Sequence, residues 1–246
     1  SLDAMRWFLT TQGPLGANDS DFAHSRFVEV YNADLANSVG NSTSRVGNMF
    51  NKYFDGQVKG TCNGEFGFDN GTSLQTALKA LENAGKKVDD PDRTYKIAEF
   101  TQQAVAQAGD ALADMNLDAM LDAGRSIVRH VDDFISYSAP FTLAKQLDTL
   151  DDGEHALSSI LYSCGEALRI ASLLLSPAMP EKMAELWRNW NCNHLIGPDD
   201  CNSGFVAPLS ELAKWGGEYG LKPGQTIEKG AALFMRADAK EPPPTL

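Results

Sequence analysis

YNADLANSVGNSTSR, residues 31–45, decides the reading of this chain. It lies inside an amphipathic pattern running from about residue 23 to 53, yet it holds three Asn, one Gly, three Ser and a Thr. These are poor α-helix formers. At 100° per residue, Leu35, Val39, Val46, Met49, Phe50 and Tyr53 fall within roughly 60° of one line and form the expected core stripe. Asn37, Asn41, Arg45 and Asn48 collect on the other side, the first three each four residues apart. An interior Gly costs about 1 kcal/mol relative to Ala and an Asn about half that, so Glu, Lys or Gln would serve a merely wet face better. Two explanations stand. Asn37 and Asn41 bond neighbouring loops while Gly40 and Gly47 allow close packing. Alternatively, the column offers amide donor-acceptor pairs and a rigid guanidinium fork to something planar and polar. Such groups read the edges of unstacked RNA bases, and a nearby aromatic would complete the site by stacking.

The rest of the chain is helical in pattern. A short helix is expected at about 2–10. A Gly/Asn/Asp loop follows, with Ser20 or Asp21 as N-cap of the long helix, which stops at Asp55-Gly56. Residues 56–73 are rich in Gly and Asn and read as a surface loop. Further helices are expected at about 73–85, 91–113, 116–137 and 154–175, and Pro180 opens another. After residue 190, NCNHLIGPDDCNSG reads as a loop, LKPGQTIEKGAALF as a turn with short extended segments, and AKEPPPTL as a disordered linker. The expected fold class is all-α, a bundle of about five main helices with a short extended C-terminal tail.

Composition bounds the function. The 246 residues carry 21 Lys plus Arg against 33 Asp plus Glu, a formal net charge of −12. That balance argues against an extended nucleic-acid surface but leaves room for a local one. The apolar runs are too short to span a bilayer, and the N-terminus has no signal-peptide pattern. It starts without Met on an amphipathic stretch, as if cut from a longer chain. Cys62, Cys164, Cys192 and Cys201 show no disulfide spacing, which favours a reducing cytoplasm. The Asn18, Asn41 and Asn70 N-x-S/T triplets would matter only in a secreted protein. Cys192, His194 and Cys201 offer three metal-type ligands and no fourth, and are read as free loop residues. Arg125 and Arg129 could touch phosphate, but pairing with Asp122 and Asp133 at helical spacing is the simpler expectation. Asp151, Asp152 and Glu154 read as a solvated helix start, and Trp187 and Trp190 as core.

Six ordered stretches carry a resemblance. YNADLANSVGNSTSR is similar to the N-x-D-L-x-N-x-x-G-N-x-x-x-R helix of methionyl-tRNA synthetases. LDAMRWFL resembles their A-D-A-L-R-Y-x-L segment, and GPLGANDSDF their G-P-x-G-x-D-x-D-F loop. DDFISYSAPFTLAK resembles N-x-Y-I-x-x-x-A-P-W-x-L-A-K, LLSPAMPEKMAELW resembles L-x-P-F-x-P-x-x-A-x-x-I-W, and GQTIEKGAALFMR resembles G-x-x-I-x-x-x-x-P-L-F-P-R. Residues 56–90 match least. The resemblance implies the anticodon-binding helix bundle of that class I family. Residues 1–22 would end the connection from an N-terminal catalytic domain. Residues 23–190 would form the bundle, and 191–246 a tail returning toward that domain. Asn41 and Arg45 fall where the family contacts the first anticodon base, and Phe141 where it has a stacking Trp. Pro140 precedes that ring, Lys145 matches the family Lys after it, and Asn37 matches the other helix Asn, which either holds the bundle or touches RNA; the implied anticodon-binding set is Asn41, Arg45, Phe141, Asn37, Pro140 and Lys145.

Two departures matter. Phe141 keeps a stacking face but lacks the indole N–H. Asp132 replaces the family Asn and puts a charge near the anticodon end. Met235 for the tail Pro is smaller. No H-I-G-H-like or K-M-S-K-S-like stretch, Gly-rich phosphate loop or four-Cys zinc pattern occurs. The implied partners are tRNA(Met) and the chain's own catalytic domain, with no membrane and no DNA. ATP and Mg, with Zn as a further candidate, would serve the whole ligase, while this part has no cofactor and should not activate methionine alone. The competing readings are the helical tail of another class I synthetase, such as the cysteinyl or valyl enzyme, and a non-catalytic helical protein-interaction module.

Overall fold

The computed structural model describes residues 1–13, 22–66, 72–88, 90–91, 93–192, 195 and 204–238. The expected helices are present. Helix α1 is Leu2–Gln12. A continuous rod follows: α2 (His24–Val30), a π-helical segment (Tyr31–Gly40) and α3 (Asn41–Phe54), with right-handed helical backbone through both junctions. Then come α4 (Thr72–Asn83), α5 (Ile97–Ala113), α6 (Leu117–Ser138), the single turn α7 (Pro140–Leu143), α8 (Gly153–Leu175), α9 (Pro180–Asn189) and the short α10 (Leu209–Leu212). The rod, α4, α5, α6 and α8 are the five main helices, so the class is all-α as read from the sequence. None of the helices among the described residues is long and apolar enough to cross a membrane.

The rod ends where expected. Asp55 and Gly56 both take positive φ, 50° and 77°, and a Cβ on Gly56 would lie 2.8 Å from the Ile227 carbonyl oxygen. Pro180 opens α9 as its first residue, where its missing N–H costs nothing. Asp3, fully buried, reaches across from α1 to accept the Lys182 backbone N–H at 2.8 Å, capping α9 from a distant element. Ala23 occupies the cap position of the rod without a side-chain bond, and Ser20 and Asp21 lie outside the described residues.

Three departures from the sequence reading have local causes. Helix α5 starts at Ile97, not near 91, because Tyr95–Lys96 pair antiparallel with Glu65–Phe66 in a two-stranded ribbon (β2 with β1). The supposed loop 56–73 therefore contributes a strand. Helix α10 lies within residues 205–220, to which the sequence reading assigned no element. Within the rod, Tyr31–Gly40 is π-wound, with more residues per turn than an α-helix. Counting at 100° therefore slips there, and neighbours are buried in pairs: Leu35 with Ala36, and Val39 with Gly40. Val46, Met49 and Phe50 are buried as expected, but Tyr53 is only half-buried, with Lys52 against its ring.

Helix α8 is the centre. It is buried on every side and packs against α3, α4, α5 and α6. Its serines return hydroxyls to the helix: Ser163 donates to the Ser159 carbonyl and Ser172 to the Arg169 carbonyl. Trp187 donates its indole N–H to Ser172 Oγ at 2.8 Å, and both Trp187 and Trp190 are core, as read from the sequence. Glu166 and Arg169 are wholly buried and paired through two bonds, at 2.9 and 2.8 Å. Glu166 also accepts the backbone N–H groups of Gly216 and Leu221, and Arg169 donates to the Leu212 carbonyl at 2.7 Å. This pair thereby fixes residues 212–221 onto α8.

The chain after 221 lies along the rod. Gln57 bridges Thr226, and Val58 donates to the Gln225 carbonyl. Asn51 donates to the Ile227 carbonyl, Tyr31 to the Met235 carbonyl, and Asn32 exchanges two bonds with Ala237. Gly40 faces this tail: an added Cβ would meet Leu35 O at 3.1 Å and Phe234 Cβ at 3.4 Å. The close packing expected of Gly40 is thus to the tail, whereas at Gly47 the nearest atom, Trp190 Nε1, would be 3.8 Å away, an ordinary contact. Residues 239–246, which include the Pro-rich stretch, lie outside the described residues.

Removing one partner of a buried pair strands the other charge, which costs about 3–5 kcal/mol. Arg169→Met is therefore expected to lower the unfolding free energy by about that amount in a urea titration followed by circular dichroism. A loss under about 1 kcal/mol would show that the pair does not organise the core.

Candidate nucleic-acid interface

The column and the ring meet. Arg45, on α3, places its guanidinium carbon 5.9 Å from the centre of the Phe141 ring. The same side chain reaches Asp132 on α6, with Nη1 3.3 Å from Oδ1. Ser42, one turn earlier on α3, donates its hydroxyl to Asp132 Oδ2 at 2.7 Å. Arg45 and Asp132 remain 32% and 29% exposed, and Phe141 41%, so the group opens to solvent. Asn41 and Asn37 are exposed, and neither side chain is hydrogen-bonded to a described residue. Their expected alternative, bonding neighbouring loops, does not occur among the described residues. Asn48 sits half-buried and reaches only Ser44 Oγ at 3.4 Å.

Local backbone aims the ring. Helix α6 ends at Ser138, and Ala139 takes left-handed φ 42°, ψ 56°, with its N–H returning to the Ile135 carbonyl. Left-handed geometry costs a non-Gly residue roughly 1–2 kcal/mol. Pro140, buried, then opens the α7 turn as its first residue. Thr142 and Leu143 bury the inner side of that turn, and Phe141 is left outward. Lys145 is exposed just beyond α7. A cation that the sequence did not single out, Lys86, donates to Thr142 Oγ1 at 3.2 Å, on the residue after the ring.

Two forces orient Arg45. A half-exposed ion pair contributes little to stability, about 0–1 kcal/mol, and an exposed cation–π contact about 0.5–1 kcal/mol. Their effect is directional: the fork is held between a carboxylate and a ring. Burial pushes the Asp132 carboxyl above its ordinary range, while the Ser42 hydroxyl and Arg45 pull it back. The sequence flagged Asp132 only as a departure; its bond to Ser42 had no signal, since the two residues are far apart in the chain.

A second cluster flanks the corner. Arg93 pairs with Asp133 and lies 4.5 Å from the Tyr95 ring centre and 5.6 Å from that of Tyr137. Tyr95 donates to Asp133 at 3.1 Å, and burial with the Asp133 charge pushes its phenol well up. The sequence reading gave Asp133 to Arg129; in fact Arg125 and Arg129 both bond Asp122, and Arg125 also reaches Asp34 at 2.9 Å. Asp34 accepts the Trp7 indole N–H as well, joining α1, the π segment and α6. With its charge taken up twice, Arg125 is structural. Cys192 is buried against the tail, while His194 and Cys201 lie outside the described residues. Asp151, Asp152 and Glu154 are exposed at the start of α8, as expected.

With this geometry in hand, the likeness to known proteins falls into place. Residues 1–47 match the family model described as tRNA synthetases class I (M). The methionine–tRNA ligase of Streptomyces coelicolor is 29% identical over 240 residues, 97% of this chain and 38% of that protein. The Bacillus subtilis methionine–tRNA ligase is 29% identical over 245 residues, 98% of this chain and 30% of that protein. The chain therefore spans well under half the length of the curated relatives it matches. The apo methionyl-tRNA synthetase of Mycobacterium tuberculosis superposes with a TM-score of 0.64 at 23% identity, covering 98% of this chain and 39% of that one, which shows a shared fold. The resemblance read from six stretches of sequence thus holds: the chain is similar over nearly its whole length to the C-terminal part of methionyl-tRNA synthetases.

Two outcomes follow from the local geometry. Ala139→Gly removes the left-handed penalty and returns part of it as chain entropy, so a net gain of about 0.5–1 kcal/mol is expected in thermal melts. His130 stacks on Phe100 at 4.1 Å with its Nε2 buried and without a hydrogen-bond partner among the described residues, and burial holds its pKa below 6.5. The unfolded chain then binds the proton more readily, so the stability due to neutral His130 is full above pH 6.5 and lost as pH falls below it. His130→Gln should flatten the fall in unfolding free energy between pH 7 and 5; an unchanged slope would assign that fall to the carboxylates.

Proposed function

We propose that this chain is the anticodon-recognising region of a methionyl-tRNA synthetase. The observation that carries the reading is the meeting of Arg45 and Phe141 at one solvent-open corner, from segments nearly a hundred residues apart in sequence, with Asn41 exposed one helical turn before Arg45. Phe141 supplies a face on which a splayed base stacks. Arg45 and Asn41 supply directed donors and an acceptor for the edge of that base. Pro140 and the left-handed Ala139 fix the ring without needing the ligand to order it. Asn37, exposed on the π segment, and Lys145, exposed just beyond α7, would offer an amide and an ammonium to ribose or phosphate.

The remainder of the reading concerns the whole protein. Attachment of methionine to tRNA(Met), with ATP and Mg, would take place in a catalytic domain N-terminal to this chain. The apolar α1, which packs on α6, α9 and the rod, would then end the connection between the two.

Discrimination in such a slot comes from bonds left unmade as much as from bonds made. A buried or half-buried donor facing the wrong edge costs about 1–3 kcal/mol. Titration of the 246-residue chain with a CAU anticodon stem-loop and a scrambled loop tests the reading. Preferential binding of CAU is expected. Arg45→Ala should weaken the CAU loop selectively, whereas Phe141→Ala should weaken every loop, by about 1–3 kcal/mol. Equal binding of both loops, or none, favours a protein-binding scaffold, and equal losses across loops for Arg45→Ala would refute base reading.

A further inference from the structure

We propose that Asp132 is itself a specificity-determining residue, whose carboxylate accepts the exocyclic amine of a cytosine seated on Phe141 and rejects uracil there. The inference rests on the function proposed above and adds to it a residue that has so far only held Arg45 in place.

The geometry makes the two side chains one reading edge. Asp132 Oδ1 meets Arg45 Nη1 at 3.3 Å and Oδ2 takes the Ser42 hydroxyl at 2.7 Å. A carboxylate has about four lone-pair sites, so these two bonds leave acceptor capacity. The side chain is 29% exposed, so that capacity is reachable from the open corner. Arg45 likewise commits only one N–H direction to Asp132, and its fork retains others. An acceptor therefore stands directly beside donors, on a support that holds both.

That order matches one pyrimidine. The pairing edge of cytosine presents an amine donor at N4 followed by acceptors at N3 and O2; aspartate accepting from the N4 amine is an established pairing of side chain and base. Uracil presents an O4 acceptor where cytosine has the amine, and an N3 donor where cytosine has an acceptor. Against a carboxylate and a guanidinium, both positions then face their like. A carboxylate cannot turn to offer a donor, whereas the amide of an Asn at this position could rotate and donate to O4. The charge at residue 132 thus narrows the choice of base by repelling the alternative.

The charged acceptor also needs its neighbours. The groups held against Asp132 are Arg45 and Ser42 from α3. Asp133, next in sequence, is turned to Arg93 and Tyr95 and does not compete for Arg45. The two adjacent carboxylates therefore serve separate partners.

Fluorescence anisotropy of the full 246-residue chain with labelled CAU and UAU stem-loops, which differ only at the base in question, tests the inference. Wild type should prefer CAU by about tenfold or more, as one good base-edge pair supplies. Asp132→Asn should cut that preference to about two- to threefold, mainly by strengthening UAU. Ser42→Ala, which leaves the carboxylate free to turn, should reduce the preference partway while retaining the Arg45 contact. Circular dichroism melts of both variants confirm that the fold is kept. If Asp132→Asn weakens both loops by the same factor and leaves their ratio unchanged, Asp132 is a positioning residue for Arg45 and the inference is overturned, with the anticodon reading intact. If wild type does not separate CAU from a scrambled loop, the anticodon reading falls and takes this inference with it.

Discussion

The buried pair of Glu166 and Arg169 is the constraint from which the rest of the arrangement follows. Placing two charges at zero exposure inside α8 is costly unless their remaining bonds are met. Here they are met by backbone: two N–H groups for Glu166 and the Leu212 carbonyl for Arg169. A hydrophobic substitute of equal volume could match the stability, but it would not specify where residues 212–221 must sit. From that anchor the tail runs back along the rod, bonding it at Asn51, Asn32 and Tyr31. The rod is thus pinned on α8 by its apolar side and clasped by the tail, and its rotation about its own axis is set. Arg45 faces α6 because of that rotation.

The π segment belongs to the same constraint. A straight α-helix from 24 to 54 could not bury Leu35 with Ala36 and Val39 with Gly40 while sending Asn37 and Asn41 outward and Asp34 toward Trp7 and Arg125. Winding Tyr31–Gly40 more loosely changes the phase between the two ends of the rod. Asn, Ser and Gly are the residues that lose least by leaving α geometry, since they gain least from it. The composition that looked wasteful in a helix is the composition suited to this one. Ala139 shows the same economy: an unfavoured backbone held by a well-packed Pro140 turn, at the point where a ring has to face out.

Much of this was readable in the sequence, for identifiable reasons. Periodicity located the main helices because their apolar stripes are long, and Gly56 and Pro180 marked boundaries through backbone chemistry that has few alternatives. The ribbon of Glu65–Phe66 with Tyr95–Lys96 escaped because two residues per strand carry no period. The π segment escaped because its apolar spacing still mimics an α-helix when viewed alone. Asp133 was given the wrong partner because proximity on one helix favoured Arg129, while Arg93, brought in by the loop before the ribbon, offered two tyrosine rings as well as a charge. The column of Asn41 and Arg45 was legible from spacing, and its partner ring from resemblance. That Asp132 would grip Arg45 was not, because nothing local links residues 42, 45 and 132.

The electrostatics of the corner also explain how an acidic chain can hold such a site. Both guanidinium groups there are matched, Arg45 by Asp132 and Arg93 by Asp133, and the whole chain carries a net charge of −12. Such a surface draws phosphate weakly, so the non-specific attraction that dominates many nucleic-acid complexes is largely absent. What remains is stacking on Phe141 and directed bonds to a base edge, both of which need a base already turned out of its stack. In the proposed function, pairing Arg45 with a carboxylate therefore trades strength of attraction for selectivity. The charge that repels backbone phosphates is the same charge that orients the guanidinium, and a tRNA lacking the right base finds little else at this corner to hold it.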